Sequence, residues 1–569
     1  MKSTGVRRGG TSAEVGCALS RPVPWRWKDA FRRPVGIRRD GRRVVRPGSA
    51  TGECDRRAHG DRGAADAYDG VRSHPERRMR LSKSRFTAGL QCARLLWWRV
   101  HEPDAPELAP DETRQAVFDQ GHRVGAAARA RFPGGVLIDL PHDAFEQRVT
   151  ATRAAMDGGA PAIFEASFVA DDTFVAVDAL ERRPGGWRLV EVKSSTRVKT
   201  QHLQDVAVQV HVVRGSGVPV ESAEVMHVNR ACTYPDLSDL FARVPVLPEV
   251  ERILPGVPGR LRAQLAMLGG DLPTVAIGLH CEEPYPCPFQ GRCWPEWPAD
   301  HVRRLYFVGK RSWELAANGY TSIDRLPDGM TLHPAAERQR RALRLGRRIV
   351  EPTLAVALER LVGPLAVIDF ETVSPAIPVW DGCHPYDPVP AQFSCHAQEA
   401  DGAWTHHHWL ANDTADPRPE LIRRLADACR GARTILAYYA PFEAGVLAQA
   451  ALAFPKLHDP VQSILDRIVD AHPLVRDHVY DPGFNGSFSL KAVLPVLVPG
   501  LGYDDLPIAE GQAASRHIER MLFGDPPPHG AERRALRDAL RRYCERDTLG
   551  VVRLVETLRT LAAGAAGPV

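Results

Sequence analysis

Apolar residues along this chain recur with two different periods, and the places where the period changes mark its elements. From Met79, MRLSKSRFTAGLQCARLLWW has the spacing of an amphipathic helix. TFVAVDALE and WRLVEVKSS flank a Pro-Gly-Gly turn and predict a strand pair, with Asp178 at the end of the first strand and a helix following over HLQDVAVQVHVV. Residues 79–300 therefore predict one α/β domain. Residues 301–361 read as a helical, basic connection. After Pro364, LAVIDFETV predicts a buried strand, TILAYYAPFEAGVL a strand running into a helix, and ALRRYCERDTLGVVRLVETL a helix. Residues 362–569 thus predict a second, strand-first α/β domain, and no internal repeat is visible.

Composition changes this picture in three ways. At 569 residues, 44% hydrophobic and 25% charged, the chain has enough apolar surface for more than one core. No run approaches the ~20 apolar residues of a membrane helix, and arginines stand where a secretory signal would be apolar, so a soluble cytoplasmic protein is expected. The net charge of +5 is misleading, because residues 1–78 carry +10 and the remainder −5. The Arg- and Gly-rich first 78 residues are expected to be disordered, or to precede a true start at Met79, with a transit peptide as the third reading. Nucleic acid, if bound, must be held by local basic patches beside metal-binding carboxylates.

Chemistry concentrates in three places. On the hairpin, Glu191 and Lys193 lie two apart and project from one face, with Asp178 on the preceding strand. Asp178, Glu191 and the Val192 carbonyl offer hard oxygen ligands to a divalent ion, while Lys193 can orient water or offset phosphate charge. Asp205 and Gln209 lie four apart on the next helix. Solvated charges on a hairpin edge are the plainer alternative. This set resembles the PD-(D/E)XK nucleases of the RecB type. That resemblance adds Glu165 as a further acid and His122 as a metal-binding histidine, with Val213 standing where the family has tyrosine.

Cys281, Cys287 and Cys293 form C-x5-C-x5-C, and Cys92 lies far upstream. Four thiolates suit an iron-sulfur cluster or zinc. The order, one cysteine before the core and three after it, resembles the CRISPR-associated and AddB-type relatives of RecB, which implies a [4Fe-4S] cluster in preference to zinc. Cys17, Cys54, Cys232, Cys383, Cys395, Cys429 and Cys544 show no ligand spacing and are read as structural.

In LAVIDFETV, Asp369 and Glu371 point to one side of a core strand, a costly arrangement unless metal binds them. Glu443 falls in the first turn of a helix, and Tyr543 and Asp547 share a helix face. Their order resembles the DnaQ-like, RNase H-fold exonucleases of the DEDD tyrosine class. The resemblance implies a 3′-5′ exonuclease in which Asp369, Glu371, Glu443 and Asp547 hold two metal ions and Tyr543 positions the attacking water. Glu443 stands where aspartate is usual and Tyr439 where asparagine is common. Lys491, in a Ser-Leu-Lys helix start, is read as a phosphate contact, and Asp470 and Asp481 as additional acids or solvated loop carboxylates.

SWELAANGYTSIDRLP puts Gly319 between two short helical stretches and resembles a helix-hairpin-helix. Arg338, Arg341, Arg344 and Arg348 recur along one side of the next helix, as phosphate contacts or as a solvated linker face. As a whole, residues 79 to about 560 resemble a bacterial family of unknown function that fuses the two nuclease types. This implies Mg²⁺ or Mn²⁺ as cofactor and nucleic acid, DNA above RNA, as partner. A nucleic-acid-binding scaffold with one or both centres inactive is the alternative.

Overall fold

The computed structural model describes residues 81–565. The expectations for residues 1–78 and for a start at Met79, with Cys17 and Cys54, lie outside the described residues. The architecture is mixed α/β. The first sheet contains β1 (Leu81–Ser82), β2 (Val136–Leu137), β3 (Ala162–Ala170), β4 (Thr173–Arg183), β5 (Gly186–Lys193), β6 (Val220–Val228) and β7 (Phe241–Pro245). Its order is β2-β3-β4-β5-β6-β7, with β1 paired in parallel to β4.

The helix Thr200–Gly215 covers one face of this sheet. Its valines share a core with Val177 and Leu189, whereas Ala179 and Val190 pack on the other face with Ala128 of the helix Glu112–Arg129. Because side chains alternate along a strand, Glu191 and Lys193 follow Leu189 onto the face that holds the Thr200–Gly215 helix.

Asp178 does not end its strand as expected, since β4 continues to Arg183 and pairs there with Gly186. The ladder between β3 and β4 instead skips Glu165 and Asp178, which would stand opposite each other. Glu165 takes a positive φ of 56° there. The β4–β5 ladder also stops at Ala179 and Val190, while β5 runs on beside β6 to Lys193. β4 and β5 part at this point, and the carboxylate of Asp178 lies next to the amide that the parting frees.

A second sheet has the order β11-β10-β9-β12-β13, from β9 (Leu365–Val373), β10 (Val389–Gln398), β11 (Trp404–Leu410), β12 (Thr434–Ala437) and β13 (Ile468–Asp470). β9 to β11 are antiparallel, and β12 and β13 run parallel to β9. A short pair, β8 (Ile349–Val350) and β14 (Val479–Tyr480), stands apart. Leu365, Val367 and Val373 of central β9 pack with Leu540, Val551 and Leu554 of the long helix Gly530–Ala565. Ala366, Ile368 and Phe370 face Leu421, Leu425 and Val446 of two helices on the other side. Asp369 and Glu371 therefore interrupt an apolar row beneath the Gly530–Ala565 helix.

The connecting region differs from its reading. The helix Arg311–Ala317 forms, but Thr321–Leu326 makes turns and a bridge between Ser322 and His301, so the second helical stretch is absent. Gly486, at φ +77°, brings this region against the second sheet's domain, where a Cβ would meet the Arg304 carbonyl at 1.8 Å. No helix among the described residues is long and apolar enough to cross a membrane.

Candidate metal centres

At the first centre, Oδ2 of Asp178 accepts the Val192 N–H at 2.7 Å. Glu191 is 1% exposed and receives four contacts. Lys193 lies 2.7 Å from Oε1, the Gln209 amide donates to Oε2 at 2.7 Å, and Lys83 bridges both oxygens at 3.0 and 3.1 Å. Lys193 also donates to Asp205 at 2.8 Å. Burial raises the Asp178 carboxyl, and the charge of Glu191 adds to the effect. Burial acts on Glu191 in the same sense, but Lys193 and Lys83 outweigh it and hold that carboxyl below its usual range.

The expected set of Asp178, Glu191, Lys193, Asp205 and Gln209 is thus brought together. Two expected additions are not. Glu165 turns its carboxylate to the buried Arg148, 3.5 Å away, because the positive φ reverses its direction in the strand. His122 is exposed on its helix, and the hydrogen bonds and ion pairs of Asp178 and Glu191 among the described residues do not include it. Val213 is fully buried in the apolar core. Lys83 was not anticipated, since nothing in LSKSRF marks that lysine apart from its place at a helix start.

Buried oxygen donors in this set match the needs of a hard divalent ion. The Oε1 of Gln209 is buried without a hydrogen-bond partner, so the site has an acceptor to spare.

At the second centre, ligand atoms of Asp369, Glu371 and Cys544 lie within 4.8 Å of one another. Cys544 Sγ is 3.6 Å from Asp369 Oδ2, which places a cysteine read as structural next to the carboxylates. Spaced three before Asp547, it falls on the helix face that looks at β9, and that spacing was the available signal. Tyr503, also unanticipated, donates to Oδ1 of Asp547. Tyr543 is buried beside Asp547 and Glu371, and Lys491 stands 5.1 Å from the Tyr543 ring centre.

Burial first, and then the neighbouring carboxylates, raise Asp369 and Glu371 well above their ordinary range. Burial pushes Glu443 up to about 8, and its Oε2 has no partner. Asp547 is raised by burial against the opposition of Tyr503 and Lys491. Asp369 and Glu371 on the strand feel the charges of Asp547 and Glu443 from two helices, and Lys491 opposes the shifts of Glu371 and Asp547, a donor set suited to divalent cations. Tyr439 caps the Ala440–Ala453 helix at φ 88°, its N–H bound to Asp470 at 3.0 Å. Asp470 is therefore a supporting residue, whereas Asp481 pairs with Arg348 at 2.8 Å.

Cys92, Cys281, Cys287 and Cys293 line one cavity beside Trp98 and Phe289. All four are free thiols. Cys92 sits at the break between the helices Lys83–Gln91 and Ala93–His101. Gln91 ties that break to the cysteine loop through the carbonyls of His280 and Tyr285, at 2.8 and 2.7 Å. Burial, with the other three cysteines adding, pushes the Cys287 thiol up to about 11.

Arg341 and Arg344 of the connecting region are exposed and Arg338 and Arg348 are not, and each of the four is paired within the chain. Arg338 is buried and bonds Glu351 and the carbonyls of Arg476 and Asp477. Arg341 reaches Glu351, Arg344 reaches Asp328, and Arg348 reaches Asp481.

A family described as a domain of unknown function (DUF2779) matches residues 366–489, a segment containing Asp369, Glu371 and Glu443 and ending before Lys491, Tyr543 and Asp547. No curated protein matches the chain.

Proposed function

We propose that the chain is a metal-dependent nuclease with two phosphodiester-hydrolysing centres, the first RecB-like of the PD-(D/E)XK type and the second a DnaQ-like, RNase H-fold exonuclease. The observation that carries this reading is the convergence of Asp369, Glu371, Glu443 and Asp547, with pKa values raised by burial and one Glu443 oxygen unpartnered. Such a group is expensive unless cations neutralise it.

Asp369, Glu371, Glu443 and Asp547 would hold Mg²⁺ or Mn²⁺ at the second centre, and Asp178 and Glu191 at the first. When bound, these ions supply an activated water and stabilise the leaving oxygen. Tyr543, beside Asp547 and kept protonated by burial, orients the water by donating to it or accepting from it. Lys491 offsets phosphate charge. At the first centre Lys193 keeps Glu191 ionised, and Gln209 fixes its orientation.

The four cysteines would hold a [4Fe-4S] cluster in preference to zinc, joining the segment before the first sheet to the segment after it. DNA is the proposed substrate, in repair, recombination or defence. The test is Mg²⁺- and Mn²⁺-dependent cleavage of end-labelled single-stranded DNA, with duplex and RNA controls, by the wild type and by Glu191→Ala and Asp369→Ala. Product patterns that change differently in the two variants support two centres, whereas no cleavage of any substrate overturns the reading.

A nucleic-acid-binding scaffold is the second reading. It is favoured by the saturation of Glu191 with protein donors and by the apolar burial of Val213. Metal binding without turnover would identify it.

A further inference from the structure

A carboxylate offers about four lone-pair directions. On Glu191 all are used: Oε1 by Lys193 and Lys83, and Oε2 by Gln209 and Lys83. Any cation that binds Glu191 must displace one of these donors. Gln209 is fully buried and also donates to the Asp205 carbonyl at 3.0 Å. Lys193 has a second anchor in the Asp205 carboxylate at 2.8 Å. Among the described residues the Lys83 ammonium hydrogen-bonds to Glu191 alone, and its side chain keeps 24% exposure. Lys83 is the donor free to leave.

Its position limits where it can go. Lys83 is the first residue of the helix Lys83–Gln91, after the N-cap Ser82, whose hydroxyl lies 3.1 Å from that of Ser84. A displaced ammonium stays tethered to that first turn, where helix polarity already favours an anion. Charge points the same way. With the carboxyls ionised, as a bound cation requires, Asp178, Glu191 and Asp205 against Lys83 and Lys193 leave one negative charge in excess, and a divalent ion would turn this into one positive charge, which a phosphodiester neutralises.

We propose that Lys83 is a working residue of the first centre: the ammonium that gives way when a divalent ion takes Glu191 and then binds a phosphate oxygen of the nucleic-acid strand. The proposal rests on the nuclease reading above and names a substrate contact within it. No covalent change is involved, only the exchange of one counter-ion for another.

The test uses full-length protein carrying Asp369→Ala, which removes the second centre's ion site, with and without Lys83→Met, a change that keeps the apolar stem. Mn²⁺ affinity is read by calorimetry. Affinity for a fluorescent single-stranded DNA oligonucleotide is read by stopped-flow anisotropy in saturating Mn²⁺, before cleavage. Losing a competing cation should tighten Mn²⁺ binding about tenfold, and losing the phosphate contact should weaken oligonucleotide binding by a similar factor. Lys83→Arg should recover most of the oligonucleotide affinity. Should Lys83→Met fail to fold by circular dichroism, Lys83→Gln carries the same expectation.

Unchanged or weaker Mn²⁺ binding, or oligonucleotide affinity equal to the parent's, overturns the role of Lys83. Glu191→Gln separates the two layers of argument. If the parent protein binds no Mn²⁺ that Glu191→Gln removes, the first-centre reading falls together with the proposal. If it binds Mn²⁺ and Lys83→Met behaves like the parent, the proposal alone falls.

Discussion

The carboxylate of Asp178 receives the backbone N–H of Val192 at 2.7 Å, at the point where β4 and β5 stop pairing. A side chain thus replaces a strand as the partner of that amide, and the same bond fixes Asp178 beside Glu191.

Replacing Asp178 separates its two roles. Asp178→Asn keeps an oxygen that can accept from Val192 and should retain stability while losing Mn²⁺ at the first centre. Asp178→Ala loses both, and leaves the amide unpaired at a cost of about 1–3 kcal/mol. Urea denaturation and calorimetric Mn²⁺ titration of both variants check this.

The second centre should make stability fall with pH when a chelator is present. Glu443 titrates near 8 in the folded chain, above the ordinary value it has when unfolded, and Asp369 and Glu371 shift the same way. The folded state therefore binds more protons, and stability declines as pH rises through those folded values. Between pH 7.5 and 8.5, above the ordinary imidazole range, Tm should drop in EDTA and recover with Mg²⁺ or Mn²⁺. Glu443→Gln should flatten the slope.

Tyr543→Phe removes the hydroxyl beside Asp547 and keeps the ring in its core. Exonuclease kcat should fall by roughly 10²-fold or more if the phenol orients water, with KM and Tm little changed. Equal kcat in wild type and variant would remove Tyr543 from the mechanism.

Cys287→Ser should lower bound iron and visible absorbance after anaerobic purification, and lower Tm, because the four thiols join segments far apart in sequence. A wild-type protein that is colourless and iron-free would rule out the cluster.

Arg338→Met should cost about 1–3 kcal/mol, since it leaves the carbonyls of Arg476 and Asp477 without their donor while Glu351 keeps Arg341, and should leave DNA affinity unchanged. Loss of DNA affinity with normal stability would restore the phosphate-contact reading of that helix.

Much of this was legible in advance. Glu191 with Lys193, Asp369 with Glu371, and Tyr543 with Asp547 sit two or four apart, so strand and helix periods alone place each pair on one face. Three of the cysteines were legible by type and spacing, and Cys92 only through the resemblance. Lys83, Tyr503 and the partners of Arg338 were not, because each depends on a contact across a long stretch of chain that no local period encodes.

Local chemistry determined which residues are carboxylates, thiols and lysines, and the 2.0 and 3.6 residue periods determined which of them share a face. Only the tertiary structure decided their company. It parted β4 from β5 so that Asp178 meets Val192, turned Glu165 away through one positive φ, and laid Cys544 on Asp369. It also spent the arginines of the connecting helix on internal carboxylates and carbonyls. The reason is that burial and pairing depend on what packs opposite a side chain, and that neighbour is set by the fold and not by the residues beside it in sequence.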